Sequence, residues 1–95
     1  MIRIVWEPEW NRAGAYDLDD LVGECSVTKP GDYWVITHTG VDEKYGGRGI
    51  AADLVKEVIE QARLAGVKIM PLCSYAEREF VKHPEYGDVL LDAKQ

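Results

Sequence analysis

Three glycines within four residues mark the part of the chain with the clearest capacity for chemistry. Gly46, Gly47 and Gly49 lie between a segment typical of β-strands and a periodic segment typical of a helix. Glycines let the backbone approach a ligand closely, and the free N–H groups at a helix N-terminus favour phosphate oxygens. The spacing therefore predicts an anion site, with a pyrophosphate-bearing ligand as the first hypothesis. A tight strand-to-helix turn without a ligand explains these glycines equally well.

Two common phosphate motifs do not fit this stretch. A P-loop needs a lysine and a serine or threonine after its last glycine, whereas Gly49 is followed by Ile50 and Ala51. A dinucleotide fingerprint needs a third glycine after Gly47-x-Gly49, within a parallel strand-helix-strand unit. We therefore expect neither nucleotide hydrolysis nor binding of a dinucleotide.

Composition narrows the possible partners. The 95 residues are predicted to form a single domain, 1–95, and the net charge of -6 disfavours nucleic acid and anionic membranes. No apolar run has the length of a membrane span, and residues 1–7 are too short and too soon acidic for a signal peptide. A soluble cytoplasmic protein is the expectation. Cys25 and Cys73 lack the spacing of a zinc site or a disulfide framework, so we predict free thiols and no metal.

The pattern of apolar residues predicts an α+β (α/β) chain that begins with antiparallel strands. These strands cover residues 2–6, 12–18, 22–27 and 33–41. In the last of them, strict alternation places Thr39 and Val41 on one face and Trp34, Ile36 and His38 on the other. An amphipathic helix then starts at the glycine turn and ends at Gly66. A strand at 67–72 and a short helix follow, the helix opened by a Ser74–Glu77 capping box.

Taken in this order, the residues resemble those of the GCN5-related N-acetyltransferase (GNAT) superfamily. Its signature Gln/Arg-x-x-Gly-x-Gly/Ala is matched at Gly49 and Ala51, with Gly46 in place of the first residue. The chain is most similar to the small single-domain GNAT-like proteins of plants and bacteria, over about residues 22 to 90. Those proteins carry His-Thr before the glycine turn and Pro-x-Cys after the next strand, here His38-Thr39 and Pro71-Leu72-Cys73.

The resemblance implies an N-acetyltransferase that uses acetyl-CoA as donor and an unidentified amine, a small molecule or a protein lysine, as acceptor. It also implies the cofactor-binding set Thr39, Gly40, Val41, Gly46, Gly47, Arg48, Gly49, Ile50, Ala51, Phe80 and Lys82. A coenzyme A binding module without catalysis is the alternative. The helices that form an acceptor pocket in larger GNAT enzymes have no counterpart here, and the oligomeric state is left open.

Two side chains are candidates for the chemistry. Cys73 precedes the short helix, whose N-terminus stabilises a thiolate, and the resemblance places it beside the thioester as an acetyl-accepting nucleophile or a proton donor. Alternatively, Cys73 is a small buried residue that only packs in the core. Packing is the role that we expect for Cys25. His38 is the candidate base because imidazole titrates near neutral pH, although a structural role for this histidine is the stronger interpretation.

Overall fold

The computed structural model describes residues 1–91, which form a five-stranded sheet in the order β1-β2-β3-β4-β5. Neighbouring strands are antiparallel except for β4 and β5, which run parallel. The strands are β1 (Ile2–Glu7), β2 (Arg12–Asp17), β3 (Asp20–Thr28), β4 (Tyr33–Val41) and β5 (Lys68–Pro71). The helices are α1 (Ile50–Ala65) and α2 (Ser74–Lys82), with 3-10 turns at Pro8–Trp10, Glu43–Tyr45 and Pro84–Val89. The predicted α+β order is confirmed.

Helix α1 supplies one side of the core. Its apolar stripe is buried, and it ends at Gly66, whose left-handed backbone (φ 71°) lets its N–H bond the Ala62 and Arg63 carbonyls. Leu54, Val58 and Ile59 are fully buried against the sheet. Burying a side chain of this size contributes roughly 1.5–3 kcal/mol, so the stripe anchors the helix firmly. The N-terminus of α1 is thereby held at the end of β4.

A β-bulge changes which side chains of β4 face α1. Ser26 of β3 pairs with His38, whereas the next residue, Val27, pairs with Ile36, so Thr37 is an extra residue in β4. A one-residue insertion reverses the alternation beyond it. Thr39 therefore points to the same face as Ile36, and the alternation predicted from the sequence is wrong at this point. That face carries α1, because a Cβ atom at position 23, opposite Val41, would lie 3.3 Å from the Leu54 Cδ1.

Strands β4 and β5 separate part-way along their length. Their ladder ends where Ile36 pairs with Pro71, and the Ile36 carbonyl then accepts bonds from the backbone N–H groups of both Leu72 and Cys73, at 3.0 and 3.2 Å. Beyond this point, within residues 1–91, β4 pairs only with β3. The edge of residues 37–41 is thus open on the side where Cys73 begins the turn into α2.

Candidate functional site

The glycine turn leaves open space in front of the N-terminus of α1. Gly47 and Gly49 have left-handed backbones, with φ of 78° and 77°, and a Cβ atom at either position would meet nothing within 4 Å. Backbone conformation, rather than crowding, therefore requires glycine at both positions. Gly49 is the N-cap of α1 and makes no side-chain capping bond. The first N–H groups of the helix, at the positive end of its dipole, are available to an anion.

A cleft of about 260 Å³ begins at this turn. Its walls are Val41 at the end of β4, Tyr45 before the turn and Tyr75 on α2, together with Gly46, Gly47, Gly49, Ile50 and Ala51. The structure thus brings together most of the turn residues that the sequence proposed for a cofactor. Tyr45 and Tyr75 were missing from the predicted cofactor-binding residues, although each lies in a segment that resembles the GNAT proteins. Their rings give the cleft apolar sides beside its polar helix end.

Arg48 and Tyr45 connect the turn to the sheet. The Arg48 guanidinium lies 5.0 Å from the centroid of the Tyr45 ring, a cation–π distance, and the Arg48 side chain is exposed. The Tyr45 hydroxyl donates a hydrogen bond of 2.6 Å to the Asp17 carboxylate, which raises the pKa of Tyr45. The exposed Arg48 guanidinium is the positive charge of this turn, and the Tyr45 ring that it contacts is fixed by the bond to Asp17.

The thiol of Cys73 lies at the point where β4 and β5 separate. Its Sγ atom is 3.4 Å from the Thr39 Oγ1 and accepts a 3.4 Å hydrogen bond from the backbone N–H of Ala76. Cys73 is therefore the N-cap of α2, and the prediction that Ser74 caps this helix is wrong, because Ser74 is already its first residue. The Cys73 sulfur therefore lies at the N-terminus of α2, beside the open edge of β4.

Thr39 connects Cys73 to the second cysteine. The Thr39 hydroxyl donates to the Cys25 Sγ at 3.5 Å, so a single hydroxyl lies between the two thiols. Cys25 is fully buried, and loss of solvation raises its pKa to about 12. It is therefore a neutral core thiol near pH 7, as the sequence predicted, whereas Cys73 is only partly buried.

The side chain of His38 lies away from this thiol. His38 is exposed on the face of β4 opposite Thr39, since it pairs with Ser26 and Thr39 pairs with Cys25. Its ring covers Gly40: a Cβ atom at position 40 would lie 2.8 Å from the His38 Nε2. A side chain at position 40 would therefore displace the exposed His38 ring. The structure does not bring the imidazole of His38 to Cys73.

Helix α2 carries the last two predicted cofactor residues. The Phe80 ring is buried in the core, 6.0 Å from the Tyr86 ring in an edge-to-face arrangement, and does not line the cleft of the glycine turn. Lys82 is exposed and shares a shallow surface hollow with Tyr75 and Arg78. Arg78 was missed from the sequence, and its guanidinium lies 5.8 Å from the Tyr75 ring centroid.

Two findings hold for residues 1–91 only. No group of three or more His, Cys, Asp or Glu side chains in this part of the chain is arranged to hold a metal ion. Over the same residues, no helix is long and apolar enough to cross a membrane.

The sequence profile of a family described as GCN5-related N-acetyl-transferase matches residues 15–89. This chain belongs to that family. The GNAT fold is also found in a protein from Staphylococcus aureus described as GCN5-like, which is 31% identical, with a TM-score of 0.74 over 94% of this chain and 87% of that protein. The resemblance read from the sequence is thereby confirmed. No curated protein sequence gives a significant match.

Two more distant GNAT structures contain a coenzyme A ligand. A GNAT family acetyltransferase from Elizabethkingia anophelis, with acetyl-CoA bound, is 20% identical, with a TM-score of 0.61 over 75% of this chain and 50% of its own. N-acetylglutamate synthase from Neisseria gonorrhoeae, complexed with coenzyme A and N-acetyl-glutamate, is 17% identical. Its TM-score is 0.63, and the match covers 85% of this chain and 21% of the synthase chain. At these identities the two enzymes show the shared fold alone.

Proposed function

We propose that this GNAT protein is an acetyl-CoA-dependent N-acetyltransferase whose acceptor is an amine. The observation that carries the proposal is the open edge of β4, which runs from Cys73 to a glycine turn with free helix N–H groups. The acetyl-CoA and coenzyme A bound by the two distant relatives support the same ligand here. A cytoplasmic location stays a prediction from the sequence.

The ligand would be held along a path that starts at the helix. The N–H groups of Gly47 to Ala51 would bind the pyrophosphate, and Arg48 would add a charge-assisted contact. Lys82 and Arg78, which share a hollow on α2 with the Tyr75 ring, would bind the 3′-phosphate of coenzyme A. The backbone groups of residues 39–41 that face the open edge of β4 would bond the pantetheine amides as an added strand does.

Acetyl-CoA, when bound, supplies a thioester that an amine can attack. In the nucleophile reading, the Cys73 Sγ would bond the acetyl carbon while the bond to the coenzyme A sulfur breaks, and that sulfur would leave as a thiol with the proton that Cys73 loses. The amine would then bond the acetyl carbon, the bond to the Cys73 Sγ would break, and Cys73 would take up the proton that the amine loses. In the proton-donor reading, the amine would bond the acetyl carbon, the bond to the coenzyme A sulfur would break, and Cys73 would give its proton to the departing thiolate. The proton that the amine loses would then restore the Cys73 thiol. The Thr39 hydroxyl and the Ala76 N–H position the sulfur in either case.

His38 can act only on an amine that approaches from the outer face of the sheet, because that is where its ring lies. We keep the base role as a proposal with a separate test. Replacing His38 by glutamine is expected to remove an ionisation from the pH profile of acetyl transfer if the imidazole takes the proton of the amine. An unchanged profile assigns His38 to structure.

The alternative is a module that binds coenzyme A without transferring the acetyl group. The glycine at position 46, where the GNAT signature has Gln or Arg, is the observation that favours it. Such a module needs the glycine turn but neither Cys73 nor His38.

One experiment separates the two functions. The protein is incubated with acetyl-CoA without acceptor and its intact mass is measured, followed by a screen of polyamines, amino acids and peptides as acceptors. An enzyme of the nucleophile type gains one acetyl group at Cys73, a Cys73→Ala variant gains none, and Cys25→Ala, the matched control, behaves as the parent does. Acceptor turnover without protein acetylation excludes the nucleophile reading; loss of that turnover in Cys73→Ala then supports the proton-donor reading, and full turnover assigns Cys73 to packing. Tight coenzyme A binding with neither product would instead establish the binding module.

A further inference from the structure

A second cavity, which we call the Glu79 cavity, lies between α1, α2 and the 3-10 turn Pro84–Val89. It measures about 410 Å³ and shares no lining residue with the cleft of the glycine turn. That volume lies in the range of roughly 300–1,000 Å³ typical of small-molecule sites. Its lining residues are Ala52, Asp53, Lys56, Glu60, Arg63, Glu79, His83, Glu85 and Tyr86. None of them is assigned a role in the proposed acetyl transfer, and Glu79 also borders the hollow of Tyr75, Arg78 and Lys82.

The carboxylate of Glu79 is the unusual group in this cavity. Glu79 is only 4% exposed, and among residues 1–91 its Oε1 is a buried side-chain oxygen without a hydrogen-bond partner. The His83 Nε2 lies 3.5 Å from the Glu79 Oε1, and the other nitrogen of that ring lies 3.2 Å from a Glu85 carboxylate oxygen. A neutral imidazole has one N–H, so it serves at most one of these carboxylates. A buried carboxylate oxygen without a donor is costly, so the unpartnered Oε1 is the observation from which we infer a donor outside the chain.

The charge around Glu79 favours a cationic donor. Four carboxylates line the cavity, against the two permanent cations Lys56 and Arg63. The Arg63 guanidinium is already engaged, since it bonds both carboxylate oxygens of Asp88 at 2.8 Å, the Glu85 carbonyl at 2.8 Å and the Glu60 carboxylate. The cavity therefore keeps an excess of negative charge.

The apolar lining residues of the cavity indicate what the donor carries besides its positive charge. Ala52 on α1 and the Tyr86 ring offer apolar surface next to the carboxylates, which suits a short alkyl chain that carries an ammonium group. We propose that the Glu79 cavity binds a small primary alkylamine in its ammonium form, with the Glu79 carboxylate as its anchor. A diamine binds more tightly than a monoamine, because its second ammonium reaches the carboxylates at the rim. This site goes beyond the proposed function, since it needs neither acetyl-CoA nor Cys73.

The test is a titration of the ¹⁵N-labelled full chain with cadaverine, pentylamine and pentanol, followed by amide NMR. Cadaverine is expected to shift the amides of α1 and α2 around Glu79, pentylamine to bind more weakly, and pentanol, which lacks the charge, not to bind. The Glu79→Gln variant is expected to bind cadaverine at least about tenfold more weakly, the loss of a hydrogen bond to a charged group. The matched control is Glu77→Gln, which removes one negative charge from an exposed position of α2 and changes the affinity less than about twofold.

Several results overturn the proposal. These are no binding by the parent protein up to about 10 mM cadaverine, equal weakening in both glutamine variants, and shifts confined to the glycine turn. If Glu79→Gln does not fold, as judged by circular dichroism, Ala52→Leu fills the cavity while keeping every carboxylate. Loss of cadaverine binding in that variant supports the site, and retained binding excludes it.

Discussion

The proposed role of the glycine turn in ligand binding can be tested with two variants that introduce the same backbone strain, one at each end of α1. Gly49 and Gly66 have nearly equal left-handed backbones, φ 77° and 71°, and a Cβ atom at either position would meet nothing within 4 Å. Replacement of either residue by alanine therefore costs only the backbone strain, roughly 1–2 kcal/mol. For a domain of this size, each 1 kcal/mol lowers the melting temperature by about 4–8 °C. Gly66→Ala is thus a matched control for stability.

The two variants are expected to differ in ligand binding. At position 49 the new methyl group enters the open space in front of the helix N–H groups, where we place the pyrophosphate, whereas position 66 lies at the far end of the helix. Losing one hydrogen bond to a charged group costs roughly 1.5–3 kcal/mol, which is about a tenfold or greater loss of affinity. Calorimetry with coenzyme A and with 3′-phospho-ADP measures the loss, and urea unfolding measures the stability.

Two outcomes would refute this reasoning. If Gly66→Ala weakens coenzyme A binding as much as Gly49→Ala does, affinity follows the stability of α1 and not a contact at the turn. If Gly49→Ala keeps the parent affinity while losing stability, the glycine serves only the backbone and the pyrophosphate lies elsewhere. A Gly49→Asn variant refines the comparison, because asparagine tolerates the left-handed region and still places a side chain in the ligand's space.

Three further predictions concern the thiols and the ligand. Cys73 is expected to be alkylated by iodoacetamide faster than Cys25, which is fully buried, and faster labelling of Cys25 in the native state would contradict the site. Burial raises the pKa of Cys25 from 9.0 to about 12. The contribution of this neutral thiol to the free energy of unfolding is therefore complete below pH 9 and is lost as the pH rises toward 12. Urea unfolding is expected to show a loss of about 1.4 kcal/mol between about pH 8 and pH 10 that a Cys25→Ala variant lacks; parallel pH profiles would exclude it. Coenzyme A at about 100 times its Kd is expected to add about 2.7 kcal/mol of stability, with 3′-phospho-ADP reproducing part of the effect. Equal stabilisation by pantetheine would show that the phosphates are not what the turn binds.

Features set by neighbouring residues could be predicted from the sequence. The spacing of apolar residues at helical period identified α1, and Gly66 marked its end, because both depend on contacts within one or two turns. The glycine turn was located in the same way, between a strand and a helix, whereas the left-handed backbones of Gly47 and Gly49 were seen only in the structure. The β-strands followed from their alternation and from the turn residues between them.

Features that depend on contacts across the sheet could not be predicted in this way. The bulge at Thr37 is a mismatch between β3 and β4, so no pattern within β4 shows that Thr39 points toward the thiols. Cys73 replaced Ser74 as the helix cap because the bonds of its backbone to Ile36 set where α2 starts. Glu77 and Glu79 look alike in the sequence, yet only Glu79 is turned into the interior, toward α1 and the 3-10 turn. The sequence alone determined the local conformations and the family of this protein, while tertiary packing decided which side chains meet, because those distances depend on residues far apart in the chain.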